Sequence, residues 1–517
     1  MTNEKRAITR QSDSKTPMMR DDRRRLLTVS VLFICLAIIS VGWLILMDDP
    51  AHLFKYSYLI PWILLVFAVV CIPGVFLVVK GSFELFHPLV YAAWIYFFPA
   101  FVLGSLYLAT GLHDNYMGLI PNPEYYLPLT LQYIALGFAG LMLGFVVPLG
   151  RRIGVTIARK LPVWDWKLSD IFRPAIFLII IGELFKLGAF AAGNLGYQIT
   201  ENISAYGATL YIFGYLSTMG NFLLWFAIFR TEHLKLHHYL GAVLLLMLSA
   251  YSMVLGGGKG GLFSNIVVLI GAYILSGRRV NLWQAFLLGS FITGAMFVGM
   301  AYGTVFRQIK GNESQVRLQD YLGFGFEAID QLGSQGLKDN LAVSMDAFLP
   351  RIETLSQVAV FVANYEKLQS RESSYGIADI WTMTWTAFIP RAIWPNKPNI
   401  SGARGLALLY FNLRGTSPAS TPMTDLLRNF GPIGVPLGMA LLGVVLRIIY
   451  SALIQGQKAN AWRAVGYYLL LASVSYEGMY GSILPVLIRV CAVFSVGFVF
   501  LYVMIPRRGR VHSTRYQ

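Results

Sequence analysis

Apolar runs about as long as a bilayer core is thick recur along this chain, and no other feature limits its fold so tightly. They fall at 26–47, 57–79, 88–109, 128–149, 173–192, 208–229, 238–256, 261–277, 283–304, 431–449, 464–479 and 482–504. Each suits a transmembrane helix, because about 20 helical residues cross the hydrocarbon core and satisfy their own backbone. The expected fold class is therefore an all-α polytopic membrane protein with about twelve spans. The runs at 261–277 and 464–479 are the shortest. Composition agrees: of 517 residues, 56% are hydrophobic and 13% charged, with mean hydropathy +0.58. The first run exceeds a signal-peptide core and is followed by Asp48, Asp49 and Pro50, so it reads as a retained anchor.

The net charge of +16 invites a nucleic-acid reading, but its placement argues against one. Much of it sits in an N-terminal arm (Arg20, Arg23, Arg24, Arg25), in the loop Arg151–Lys167, and in the tail (Arg507, Arg508, Arg510). Those charges flank apolar runs, as cytoplasmic anchors do. With the N-terminus inside, the cytoplasmic loops also receive Arg230, Lys235, Arg278, Arg279, Lys458 and Arg463, while loops 110–127 and 193–207 hold no Lys or Arg. Both termini are thus expected in the cytoplasm, on an inner-membrane protein with five regions. These are a basic arm (1–25), a nine-span region (26–304), a large outer loop (305–430), a three-span region (431–506) and a basic tail (507–517). The cysteines, Cys35, Cys71 and Cys491, all lie in apolar runs, which argues against disulfide, zinc or redox roles.

The outer loop looks ordered. Residues 341–364 carry apolar positions at helical spacing, interrupted by Pro350, and Trp381 and Trp385 stand one helical turn apart. Just beyond, FIPRAIWPNKPNISGARG (388–405) gathers Arg391, Lys397, Arg404, three prolines and Trp394. Guanidinium groups pair bidentately with phosphate oxygens, and prolines stiffen the backbone presenting them. The alternative is lipid anchoring, with the cations on anionic headgroups and Trp394 at the interface. Both readings stand.

Other charges divide in the same way. Lys259 lies in LGGGKGGL between two spans, either reaching a phosphate or snorkelling to headgroups; the spacing is not that of a P-loop. Asp425 and Arg428 lie in TPMTDLLRNF. Asp425 reads as a proton acceptor or as a first-turn residue favoured by the helix dipole. Glu477 in SYEGMYGS reads as a second candidate base or as a carboxylate satisfied by neighbouring tyrosines. Glu183 and Lys186, at i,i+3 within a span, are expected to pair.

The order Ile389-Pro390-Arg391, Trp394-Pro395-Asn396-Lys397-Pro398, Gly402, Arg404, the Thr-rich stretch 416–424, then Asn429-Phe430-Gly431-Pro432-Ile433-Gly434 resembles the Wzy-type O-antigen and polysaccharide repeat-unit polymerases. The many-span layout with one large, late outer loop is similar too; the motifs cover only about 388–440. The resemblance implies an enzyme that joins polyprenyl-pyrophosphate-linked oligosaccharide repeats on the outer face of the inner membrane. An acceptor hydroxyl attacks the anomeric carbon of the donor, and polyprenyl pyrophosphate leaves. Charge growing on that leaving group calls for fixed cations, and the acceptor hydroxyl for a base. The residues matched to these needs are Arg391, Arg404, Glu477 and Asp425 for catalysis, with Lys397, Lys259, Trp394 and Arg428 for substrate binding. Expected partners are the lipid-linked oligosaccharide, membrane lipids, a chain-length regulator and a flippase.

Absences narrow the chemistry. No DxD motif and no ATP-binding motif occur, and none of the seven histidines falls within 305–430. A metal-independent glycosyltransferase without cofactor is expected. An O-antigen ligase uses the same donor and remains open. A lipid-linked sugar flippase is the alternative from another class, although paired inverted halves and polar spans would suit it better. A scaffold would not need clustered outer cations.

Overall fold

The computed structural model describes residues 55–111, 116–162, 164–196, 206–256, 259–278, 282–311, 316–334, 351–386, 403–414, 420–456, 460–505 and 510–512, with isolated positions between 336 and 348 and at 389 and 394. The basic arm, the first apolar run, Arg391 and Lys397 lie outside them. Eight helices among the described residues are long and apolar enough to cross a membrane. They are α1 (Ile60–Val79, entered through a 3₁₀ turn), α2 (Pro88–Ala109), α3 (Pro123–Val146), α5 (Leu168–Ala191), α6 (Gly207–Arg230), α7 (Leu236–Gly256), α14 (Pro422–Leu453) and α16 (Tyr480–Met504). Two further apolar runs form α8 (Lys259–Leu275) and α9 (Leu282–Lys310). Large side chains such as Leu64, Phe76, Leu240 and Met247 are exposed along α1 and α7, as on helices that face lipid.

The bundle is organised around α3 and α14, where small residues let two helices approach closely. Gly140 lies against Pro436, Gly144 against Ala440, and Gly154, on the following helix α4 (Pro148–Lys160), against Ser451. The paired numbers rise together, so α3 and α14 run parallel. Parallel spans require an odd number of crossings between them, and α5 to α9 supply five. A two-stranded ribbon, β1 (Trp164–Trp166) antiparallel to β2 (Arg510–His512), ties the connection before α5 to the tail after α16. The ends near residues 84, 229, 278 and 450 belong to two joined pairs: Tyr450 Oη donates to Glu84 at 3.0 Å, and Arg278 Nε to the Phe229 carbonyl at 2.6 Å. At the opposite ends, Tyr56 N donates to Ala109 O at 3.2 Å, and Asn364 Nδ2 to Leu119 O at 3.2 Å. Each pair joins ends that the charge pattern assigns to one face. We call the face carrying residues 316–414 the loop face.

Three segments depart from the expected layout. The run at 464–479 is not one span: helix α15 (Ala461–Ala472) is only about 18 Å long, and residues 473–479 continue without helix. The expected loop–span boundary at 430–431 falls inside α14, at a sharp elbow where Gly431 takes φ 68° and ψ −168°. That conformation is essentially restricted to glycine, and Pro432 then starts the second arm with its φ already set. Leu426 of the first arm lies against Gly438 of the second, so the chain doubles back. Lastly, α11 (Leu355–Leu368) is buried from Leu355 through Ala363 and packs on α3 and α14, so the segment 305–430 is not wholly an outer loop. Non-spanning backbone at this depth is tolerated where protein buries it or where it lines a cavity.

Candidate functional site

One of these irregular segments, 473–479, meets the middle of α2. There, residues 93–103 form a π-helix, and π-helical turns are frequent at functional sites. Tyr96 in this stretch stacks on Tyr476 at 6.4 Å between ring centroids, and Phe97 meets Tyr476 at 5.5 Å and Phe138 of α3 at 4.8 Å. The non-helical 473–479 segment therefore reaches mid-span. The Tyr476 hydroxyl is buried and bonds to none of the described residues. Its neighbour Glu477 is exposed. The backbone of Ile352 and Glu353 rests on Gly104 of α2, where any side chain would overlap it.

Four titratable groups lie on or beside these segments: Tyr96, Arg351, Glu353 and Glu477. Glu477 acts electrostatically on both Tyr96 and Arg351. Arg351 is solvent-reached but recessed; desolvation and then the like charge of Arg307 lower its guanidinium, while Glu477 raises it. Glu353 is fully buried beside the N-terminus of α11. Its Oε1 accepts from Ser356 N at 2.7 Å and its Oε2 from Ser356 Oγ. Burial outweighs those bonds and pushes its carboxyl up to about 7. The same carboxylate adds to burial in raising the Tyr116 phenol. An exposed carboxylate acting on an exposed cation is a pairing suited to accepting a proton and stabilising an anion.

A second cluster joins two carboxylates to one arginine. Arg428 Nη1 donates to Glu372 Oε2 at 2.7 Å, Nε and Nη2 donate to Asp425 Oδ1 at 2.8 and 2.6 Å, and Nη2 also donates to Ala378 O at 2.9 Å. Tyr410 Oη donates to Glu372 at 2.8 Å, and Gly481 N donates to Asp425 Oδ2 at 2.9 Å. Asn429 accepts from Ile380 N at 3.1 Å and donates to Asp425 O at 2.7 Å. The first arm of α14 is closed by a reciprocal Thr421–Thr424 capping box. Its Met423 lies against Gly137, near the middle of α3. The cluster thus fixes a half-helix, the start of α16 and helix α12 (Ile380–Thr386) to one another.

The residues picked from sequence are scattered by this arrangement. Asp425 and Arg428 are buried and bonded to each other, and Arg428 also bonds to Glu372. Glu477 is exposed. Trp394 stacks on Trp385 at 5.7 Å, and Trp381 meets Phe430 edge-on at 6.3 Å. Trp381 and Trp385 are exposed on α12, whose other side packs against Gly481. Arg404 is exposed at the start of α13 (Ala403–Phe411). Lys259 opens α8, with its backbone at the α7–α8 turn. Glu183 and Lys186 pair as expected, at 2.7 Å.

Sequence reasoning passed over Arg351, Glu353, Tyr96 and Glu372. The usable signal was the charged pair in FLPRIETLS, directly before an otherwise apolar helix. Comparison with protein-family models, curated proteins and solved structures finds no match for this chain.

Proposed function

We propose that this protein is a glycosyl polymerase of the bacterial inner membrane, joining polyprenyl-pyrophosphate-linked oligosaccharide repeats on the loop face. The reading places the loop face outward and both termini in the cytoplasm, because the basic residues crowd the opposite ends of the spans. The observation that supports it is exposed Glu477, on non-helical backbone that meets the middle of α2 and acting electrostatically on exposed Arg351. A lipid-linked substrate keeps its tail in the bilayer and its pyrophosphate near the boundary, so exposed charge at the end of a span suits it. The exposed indoles of Trp381 and Trp385, on the helix packed against Gly481, offer flat apolar surfaces to sugar rings.

In this reading Glu477 takes the proton of the acceptor hydroxyl. The hydroxyl oxygen then forms its bond to the donor's anomeric carbon. The bond from that carbon to the phosphate oxygen breaks, and its electron pair leaves with polyprenyl pyrophosphate. Arg351, supported by Arg404, Arg391 and Lys397 of the loop, offsets the growing negative charge. Glu353 exchanges a proton near neutral pH.

The test compares surface polysaccharide length with membrane protein level in cells carrying Glu477→Gln or Arg351→Lys. Single repeats in place of polymer at normal protein level are expected, with turnover lowered on the order of a hundredfold. Full-length polymer in both variants would overturn the assignment. Unattached polymer would indicate a ligase, and lipid-linked repeats retained on the cytoplasmic side a flippase.

A further inference from the structure

A cavity of about 170 Å³ lies between α6 and α16, and none of Tyr96, Arg351, Glu353 and Glu477 lines it. Its wall is divided: Asn194, Tyr211, Tyr215 and Arg489 supply polar atoms, while Ile212 and Val486 supply apolar surface. Arg489 stands well inside the α16 span, nine residues or about 13 Å beyond its first residue. Among the described residues it has no hydrogen bond, no ion pair and no ring contact. The carboxylate on the neighbouring helix α5, Glu183, is already engaged by Lys186 and by Ser217 of α6. An arginine inside a span is costly unless something compensates it, which makes an uncompensated one a functional marker.

We infer that this cavity takes the phosphate headgroup of an anionic lipid, paired with Arg489, while the lipid's chain follows the apolar wall. A guanidinium matches phosphate oxygens with two parallel donors, and the Tyr211 and Tyr215 hydroxyls can complete the shell. The chemistry is shared by two sources, a polyprenyl pyrophosphate and an anionic bilayer phospholipid. The inference stands apart from the glycosyl-transfer reading, and its test does not use polymer formation.

The full-length protein is purified in detergent and mixed with equal amounts of polyprenyl pyrophosphate, phosphatidylglycerol and phosphatidylcholine, and retained lipid is read by native mass spectrometry. One or both anionic lipids should be retained over phosphatidylcholine. Arg489→Gln should lower that retention by at least about tenfold, and Arg489→Lys by less, since it keeps the charge and loses the fork. Ala208→Leu narrows the cavity and leaves Arg489 intact, so it should also lower retention at unchanged melting temperature. It serves as well where Arg489→Gln fails to fold. Preference for the polyprenyl lipid would tie the cavity to the proposed donor, and preference for phosphatidylglycerol would make it a bilayer-lipid site. Equal retention of phosphatidylcholine, or retention unchanged in Arg489→Lys and Ala208→Leu, would overturn the inference.

Discussion

The molecule contains two groupings of an arginine with two carboxylates, built from similar parts to opposite ends. Around Arg428, the guanidinium bonds to both carboxylates, and those carboxylates accept further bonds from Tyr410 and Gly481. Around Arg351, the arginine and Glu477 are exposed, and Glu353 is buried and bonded within its own turn, to Ser356. A satisfied network in a low-dielectric interior fixes geometry, because each member is expensive to release. Exposed members keep donors and acceptors for something else. Saturation, rather than residue type, separates the brace from the proposed reactive site.

The sharpest way to break this comparison is to attack the brace. Arg428→Gln leaves two carboxylates buried without their cation, a change that costs about 3–5 kcal/mol. Membrane levels of the protein should fall severely, where Glu477→Gln leaves them intact. A partial return is expected when Glu372→Gln and Asp425→Asn are added, since no unpaired charge then remains. Quantitative immunoblotting of membranes decides the matter. Normal abundance with lost polymer in Arg428→Gln alone would move the saturated cluster into the reaction.

Much of the architecture was legible beforehand, and the part that was not has a common cause. Hydropathy found the long helices because a lipid-facing helix must be apolar along its whole length. The same rule misreads 464–479, where α15 and its extended continuation are apolar because protein surrounds them. Asn429-Phe430-Gly431-Pro432 was read as a helix opening. It is an elbow between two arms, and only φ and ψ at Gly431 distinguish the two. Glu353 hid for a similar reason, as one charge in a segment with ordinary helical spacing. Asp425 and Arg428 were visible as an i,i+3 pair, but their third partner, Glu372, lies more than fifty residues away in sequence. Glu477, by contrast, was named from sequence and is exposed.

A smaller effect, and one with a sign, comes from the pH response of Glu353. Its carboxyl is raised in the fold from 4.5 to about 7 by burial. Between those values the folded protein holds a proton that the unfolded chain has released, so stability must fall as pH rises through this window. The total is on the order of 3 kcal/mol, and the loss levels off once the folded group has ionised. Glu353→Gln cannot ionise and still offers an oxygen to Ser356 N. It should flatten the decline of melting temperature between pH 5 and 7 relative to the parent protein. An unchanged slope would mean that Glu353 is ionised throughout, and its contrast with the saturated cluster would shrink.

The smallest effect is expected at the rim, where Arg404 stands exposed on α13. A cation there meets high dielectric and mobile salt, so it cannot contribute as a recessed arginine does. Its field can still guide an anionic headgroup toward the tryptophan platform, which acts on encounter more than on the bond-breaking step. Arg404→Ala should therefore raise the apparent KM for lipid-linked donor by roughly two- to threefold at low ionic strength. At an ionic strength near 0.5 M the difference from the parent should vanish, with kcat equal throughout. Arg351→Lys should behave in the opposite way, losing kcat at every salt concentration. A salt-independent loss of kcat in Arg404→Ala would place that residue on the leaving pyrophosphate itself, as the sequence pattern suggests, and would extend the proposed reactive site from Arg351 and Glu477 out to Arg404.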